Sequence, residues 1–471
     1  MELGMSLGML RLFKIFIYFS LFITLLNAQK INGSDNHLMD FDFIKKGSND
    51  DNNTLLVIGG IQGDEPGGFM AASLLATHYE IKEGSVWVVP NLNFYSIIKR
   101  SRGPYGDMNR KFAYIETHDP DYKSVMRIKS YITDENVKLI LNLHDGSGYY
   151  RKEHIDWLHS PNRWGQSSII DQKSLNIEVY GNLEEISSKV CEHINSNLIR
   201  EKDFYNIKNT ETRLGDKEME KSLTYFAINN GKAAFANEAS KSLPLHERVY
   251  YHLLALEKYM QIMGIKYERK FDLEPLSIKN VIDNDIYISF YDNKIQLPLS
   301  EVRNILNYFP IKKDGTLQFN VSNPLMTVVK EKEHYVIHYG NREIARLSPD
   351  YMDIIEKEDS INIEIDGENK TVQFGSIVNV NKNFMITPME NIRVNIIGFV
   401  KKGAKDEAGV KVEKSDILQR YSIDKSGNIF RIEFYKNDKF TGMILINFDK
   451  QFDYENLSKM MTNSTKKELS L

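Results

Sequence analysis

The chain has 471 residues, with 60 Lys and Arg set against 64 Asp and Glu for a formal net charge of −4; the length exceeds one ordinary core and fits two or three domains. Balanced charge excludes the broad basic surface on which nucleic-acid binding rests, so no nucleic-acid partner is expected. The single cysteine, Cys191, excludes an intramolecular disulfide and a Cys-based zinc cluster, leaving His, carboxylate and amide groups as metal ligands.

In chain order, residues 1–28 read as a signal peptide. Arg11 and Lys14 precede the apolar stretch 15–26, and Leu26-Asn-Ala28 offers a cleavage site. That stretch is shorter than the ~20 residues a spanning helix needs, which favours export over an uncleaved membrane anchor. From 54 to 264, apolar runs at 54–58, 86–89, 138–143 and 233–236 read as buried strands. They alternate with helical patterns at 66–77, 124–132, 183–198 and 245–263, so the spacing predicts an α/β domain over 40–265, a twisted sheet flanked by helices. Beyond 265 the texture becomes alternating β-formers separated by turns such as Asp314-Gly315, Asp366-Gly367 and Ser426-Gly427. Two small mostly-β domains are expected, at 270–345 and 346–455, the second sandwich-like, followed by a flexible polar tail at 456–471.

The first strand runs into Gly59-Gly60 and then Gln62-Gly-Asp-Glu65, with Pro66 expected at the first helical position. This places Gln62 and Glu65 at the C-terminal edge of a strand, three residues apart. His144-Asp-Gly-Ser-Gly emerges from the end of the 138–143 strand, where open α/β sheets place their sites. Taken singly, Glu65 is a helix cap and His144 a hydrogen-bonded loop residue. Taken together, Gln62, Glu65 and His144 form a candidate mononuclear metal site.

Gln62-x-x-Glu65, Asn109-Arg110, His144 and Glu238 resemble, in order and strand context, the M14 zinc carboxypeptidases, whose pattern is His-x-x-Glu, Asn-Arg, His, Glu. The run Gln-Gly-Asp-Glu-Pro-Gly-Gly resembles, more narrowly, the glutamine-liganded peptidoglycan D,L-carboxypeptidases that determine helical cell shape in Gram-negative bacteria. The resemblance implies Zn2+ on Gln62, Glu65 and His144, with a muropeptide as substrate: muramyl tripeptide trimmed to dipeptide, with release of the terminal diaminopimelate. It also implies a periplasmic enzyme, and the β domains are scaffolding or modules for cell-shape protein partners. A glutamine oxygen is neutral like imidazole, so the set leaves Zn2+ with the same net charge as a His2Glu site, yet holds it less tightly because an amide oxygen is the weaker donor.

Glu238, at the end of Ala233-Ala-Phe-Ala-Asn-Glu238, is the candidate general base, able to take a proton and pass it to a leaving amine. An Arg fork beside an Asn amide reads a free carboxylate bidentately, as an exopeptidase requires. The resemblance gives that role to Asn109 and Arg110, and the scissile carbonyl with its oxyanion to Arg102. It also suggests substrate contacts for Trp164 and Thr224, while Lys99 and Arg100 read as a solvated basic loop. Two other function classes fit parts of the pattern: a small-molecule amide deacylase of the aspartoacylase and succinylglutamate desuccinylase type, and a non-catalytic muropeptide-binding protein.

Overall fold

Thr54–Ile58 (β2) is buried at every position, as expected of a strand covered on both faces of its sheet. The computed structural model describes residues 39–48, 52–355, 360–403, 406–449 and 465–469, so the signal-peptide segment lies outside the described residues. Among these, no helix is long and apolar enough to cross a membrane. The elements up to residue 284 are β1 (Ile44–Gly47), β2, α1 (Pro66–His78), β3 (Tyr79–Glu83), β4 (Ser85–Val89), α2 (Phe94–Ile98), α3 (Tyr122–Ile132) and β5 (Val137–Gly146). There follow β6 (Tyr149–Tyr150), β7 (His159–Ser160), β8 (Ser167–Ile170), α4 (Leu183–Asn195), β9 (Asn206–Asn209), α5 (Leu223–Asn229), β10 (Ala233–Ser240), α6 (Leu245–Ile262), β11 (Lys266–Arg269) and α7 (Pro275–Asn284).

Seven strands form one mixed sheet in the order β1-β4-β2-β5-β10-β8-β9. Its centre, β4-β2-β5-β10, is parallel, while β1 on β4 and β8 on β10 run antiparallel. The strands that carry the site, β2, β5 and β10, are therefore adjacent and point the same way, and their C-terminal ends meet. Helix α1 can start hard against β5 only because Gly67 and Gly68 follow Pro66 in its first turn. A Cβ on Gly67 would lie 2.3 Å from Asp145 Oδ1, and one on Gly68 would lie 2.4 Å from the Leu143 carbonyl oxygen.

Two readings of the sequence stop the strands too early. β5 continues through His144, Asp145 and Gly146, and β10 through Ser240, because the parallel ladder pairs Glu238 with His144, Ala239 with Asp145 and Ser240 with Gly146. His144 and Glu238 are thus strand residues whose polar side chains face a cavity; polarity made His144 read as loop, whereas Glu238 reads as the end of its strand.

The β half comprises four four-stranded sheets. In the middle domain one sheet joins Tyr287–Phe290, Ile295–Pro298, Leu317–Val321 and Thr465–Leu469, and the other joins Ile305–Lys312, Met326–Glu331, His334–Tyr339 and Arg342–Met352. The expected boundary at 346 falls inside the last of these strands, which pairs with His334–Tyr339 on one side and Ile305–Lys312 on the other, each ladder with one bulge. Its pairing with Ile305–Lys312 carries on past 346 to Met352. The expected flexible tail is also corrected in part: Thr465–Leu469 is an antiparallel partner of Leu317–Val321, and Leu469 is fully buried. The middle domain shares one hydrophobic core with the catalytic domain, whereas 360–449 encloses a separate core around residues such as Ile363, Phe434 and Ile444.

Candidate metal centre and active site

Gln62, Glu65 and His144 converge. His144 Nδ1 lies 3.2 Å from Gln62 Oε1 and 2.9 Å from Glu65 Oε2, and all three residues are no more than 5% exposed. Asp107 fixes which end of the Gln62 amide faces inward. Gln62 Nε2 donates to Asp107 Oδ1 at 2.8 Å, so the amide oxygen, the only end able to bind a cation, turns toward His144. Asp107 is itself held, accepting from the Asn109 backbone N at 2.9 Å and from Arg102 Nε at 3.0 Å. Among the described residues no three His, Cys, Asp or Glu side chains form a metal cluster, which agrees with a set whose third donor is an amide. One anionic and two neutral donors, buried and within reach of one point, fit a single divalent ion.

Asp145 braces the carboxylate ligand. Its backbone N donates to Glu65 Oε2 at 3.2 Å, and its side chain accepts from Gly67 N and Arg248 Nη1, both at 2.7 Å. His252 Nε2 lies 3.2 Å from Asp145 Oδ1. Burial opposes ionisation of Asp145, but His252 and Arg248 outweigh it and hold the carboxyl below its usual range. The other Glu65 oxygen faces cations: Arg102 Nη1 at 3.2 Å and Lys241 Nζ at 3.6 Å.

Glu238 stands beside His144 across the β5–β10 ladder and lines a cavity of about 280 Å³. Burial first, then the charges of Glu65 and Asp145, push its carboxyl up to about 8, with His144 and Lys241 pulling the other way. Burial works against a charged His144, but the hydrogen bond and charge of Glu65 outweigh it and raise its proton affinity.

Every site residue expected from the sequence lines this cavity: Gln62, Glu65, Arg102, Asn109, Arg110, His144, Trp164, Thr224 and Glu238. Asn109 is pinned through its Oδ1, which accepts from Leu223 N at 2.9 Å. Trp164 is backed by Lys208, whose Nζ sits 4.4 Å from the ring centroid. Lys99 and Arg100 are exposed, and Arg100 Nε reaches across to Asn341 O in the middle domain.

Four residues escaped the sequence reading. Asp107 lies inside the motif that holds Asn109 and Arg110. Asp145 directly follows His144, and its role shows only once α1 packs on β5. Asn142 lies two residues before His144, so the two-residue strand period puts both on the cavity face; it is fully buried, with neither amide atom hydrogen-bonded. Lys241 closes the opposite end.

Residues 31–283 match the family described as carboxypeptidase controlling helical cell shape, catalytic. Residues 283–353 match the β-barrel domain of carboxypeptidase M99, and 354–449 the C-terminal domain of metallo-carboxypeptidase. Among solved structures the chain is similar to the apo cell shape determinant protein Csd4 from Helicobacter pylori, with 40% identity over 87% of this chain and 100% of that one at a TM-score of 0.80. The tripeptide-bound form of Csd4 gives the same identity, coverage and TM-score. The mDAP-bound form of Csd4, described as a D,L-carboxypeptidase, is 41% identical over 86% of this chain and 100% of that one, also at 0.80. The comparison with curated protein sequences gives no match. With the catalytic match alone spanning more than half of the chain, the protein belongs to the M99 carboxypeptidases that control helical cell shape, and it is a metallocarboxypeptidase.

Proposed function

We propose that this enzyme trims peptidoglycan muramyl tripeptide to the dipeptide in the periplasm, releasing the terminal diaminopimelate and so affecting cell shape. The observation that carries the reading is the union, in one cavity, of an amide–carboxylate–imidazole donor set, a half-buried carboxylate and an Asn–Arg pair. The tripeptide and mDAP named with the Csd4 structures support the substrate. The segment from Arg11 to Ala28 supports export, and the β domains are proposed as surfaces for other cell-shape proteins. Membership of a carboxypeptidase family sets aside the deacylase and the non-catalytic binder.

Gln62, Glu65 and His144 are assigned to one zinc ion. When bound, zinc polarises the scissile carbonyl and makes water a nucleophile at neutral pH. Arg110 and Asn109 bind the terminal carboxylate, fixing which peptide bond enters the centre. Arg102, held between Glu65 and Asp107, keeps its guanidinium beside the ligands, where it stabilises negative charge developing on the carbonyl oxygen. Glu238 takes a proton from the attacking water and delivers it to the leaving amine. Loss of solvent raises the proton affinity of the Glu238 carboxyl above that of an ordinary one, which suits a group that must take a proton and then return it.

The test is incubation with muramyl tripeptide, tetrapeptide and pentapeptide, with and without chelator, and identification of products by mass. Dipeptide and free diaminopimelate should arise from the tripeptide alone, vanish with chelator and return with zinc. Cleavage of the longer peptides instead, or activity indifferent to chelator, overturns the reading.

A further inference from the structure

Three arginine and lysine side chains line the cavity, Arg110, Arg102 and Lys241, and strand register orders them. Asn142 and His144 on β5 stand beside Ala236 and Glu238 on β10, so one wall runs along β10 from Ala236, past Glu238, to Lys241. Asn109 and Arg110 belong to the Ala236 end. Asn109 is tied to Leu223, and the next residue, Thr224, lies close enough to Asp171 to favour its ionised form. Asp171 follows β8, whose antiparallel pairing sets Ile169 beside Ala236 and Ser167 beside Glu238, so Asp171 lies on the far side of Ala236 from the base. With the terminal carboxylate held there, the leaving residue fills the Ala236 end, and the acyl part of the substrate extends past Glu238 toward Lys241.

Lys241 is firmly rooted: its backbone N donates to Gly146 O at 2.8 Å, and the preceding Ser240 N donates to Gln166 Oε1 at 3.1 Å. Its ammonium makes one hydrogen bond among the described residues, to Asp64 Oδ2 at 2.7 Å, and its side chain is 32% exposed. An ammonium has three donors, so two remain for the cavity. Its surroundings are otherwise anionic, with Asp64, Glu65 and Glu238 nearby. A second carboxylate on the substrate would be repelled there without a local cation.

We infer that Lys241 binds a free carboxylate carried by the substrate on the acyl side of the scissile bond, and thereby selects peptides whose penultimate residue keeps that carboxylate unblocked. A stem peptide whose penultimate residue is joined through its side-chain carboxyl has such a group. The inference rests on the carboxypeptidase reading above. The alternative is a purely structural role, in which Lys241 only clamps the Asp64–Glu65 turn.

The experiment measures kcat/KM for two tripeptides that differ only in a free carboxylate or a carboxamide on the penultimate residue, with wild type, Lys241→Met, Lys241→Arg and Asp64→Asn. Because the acid-to-amide ratio cancels any loss common to both substrates, a structural clamp would leave it unmoved. Wild type is expected to prefer the acid by about tenfold or more, the size of a charge-assisted hydrogen bond. Lys241→Met should bring the ratio close to one, while Lys241→Arg keeps it and Asp64→Asn keeps or raises it. A wild-type ratio near one, or an unchanged ratio in Lys241→Met, overturns the inference while the carboxypeptidase reading stands. Should Lys241→Met fail to fold, loss of the preference in Asp64→Asn overturns it equally. No hydrolysis of either peptide by wild type removes the carboxypeptidase reading and this inference with it.

Discussion

Glu238, half-buried at the cavity, and Glu433, buried in the C-terminal domain, are carboxylates each raised above the usual range by loss of solvent, and their surroundings differ. Glu433, on the strand Ile429–Lys436, accepts from Tyr435 OH at 2.6 Å and lies 3.4 Å from Arg431 Nε. Arg431 also donates to Asn307 O in the middle domain at 2.7 Å, so this group joins two domains. Glu238 has no hydrogen-bond or ion-pair partner among the described residues and faces open space beside a donor set. A carboxylate with its partners supplied by the fold is architecture. One whose partner must come from solution is poised for chemistry.

Four measurements would break or sharpen that contrast. The largest effect is expected from Glu238→Ala: kcat should fall by roughly 10²–10⁴-fold, the range for removal of a general base, with metal content unchanged. Near-normal turnover would put Glu238 in the same class as Glu433. Arg431→Ala strands the buried Glu433 and should cost about 3–5 kcal/mol of stability, as breaking buried pairs does, read as a lower Tm with kcat unaltered.

The third concerns pH in the chelated protein. An unfolded glutamate titrates near 4.5 and folded Glu238 near 8. Between these values the folded form therefore holds a proton that the unfolded form has lost. The contribution is fully present below 4.5 and is lost as pH rises through 8, so stability should decline over that window by up to a few kcal/mol. Glu238→Gln should flatten the decline, and identical slopes would refute the burial argument. The smallest effect is expected from Asp107→Ala. Without its acceptor the Gln62 amide is no longer oriented, and metal affinity by chelator competition should weaken by about 10–100-fold.

Much of this arrangement was legible in the sequence because it is local. Gln62, Glu65 and the start of α1 belong to one strand–turn–helix, and apolar runs located the central strands. Residues acting across the fold were less visible. Asp145 takes its meaning from Gly67, Arg248 and His252, up to 107 positions away. His144 looked like a loop position and Glu238 like a strand end because hydrophobic runs locate strands only where side chains enter a core, whereas these enter a cavity. The boundary at 346 failed because the strand Arg342–Met352 runs on to Met352 through its pairing with Ile305–Lys312, far away in sequence, while its burial alternation stops after Leu347.

The pairing of Thr465–Leu469 with Leu317–Val321 also bears on biosynthesis. The middle domain borrows its fourth strand from far downstream, so that sheet stays open while the C-terminal domain is still being made. Its edge is exposed on the nascent chain, a site where another polypeptide can add. Residue 467 then fastens the arrangement: the Lys467 ammonium reaches Met326 O at 3.1 Å and lies 3.7 Å from Asp42 in the catalytic domain. A chain cut after residue 449 would keep every group of the active centre yet lack this latch, and its weakness would show as aggregation during synthesis before it showed as lost catalysis.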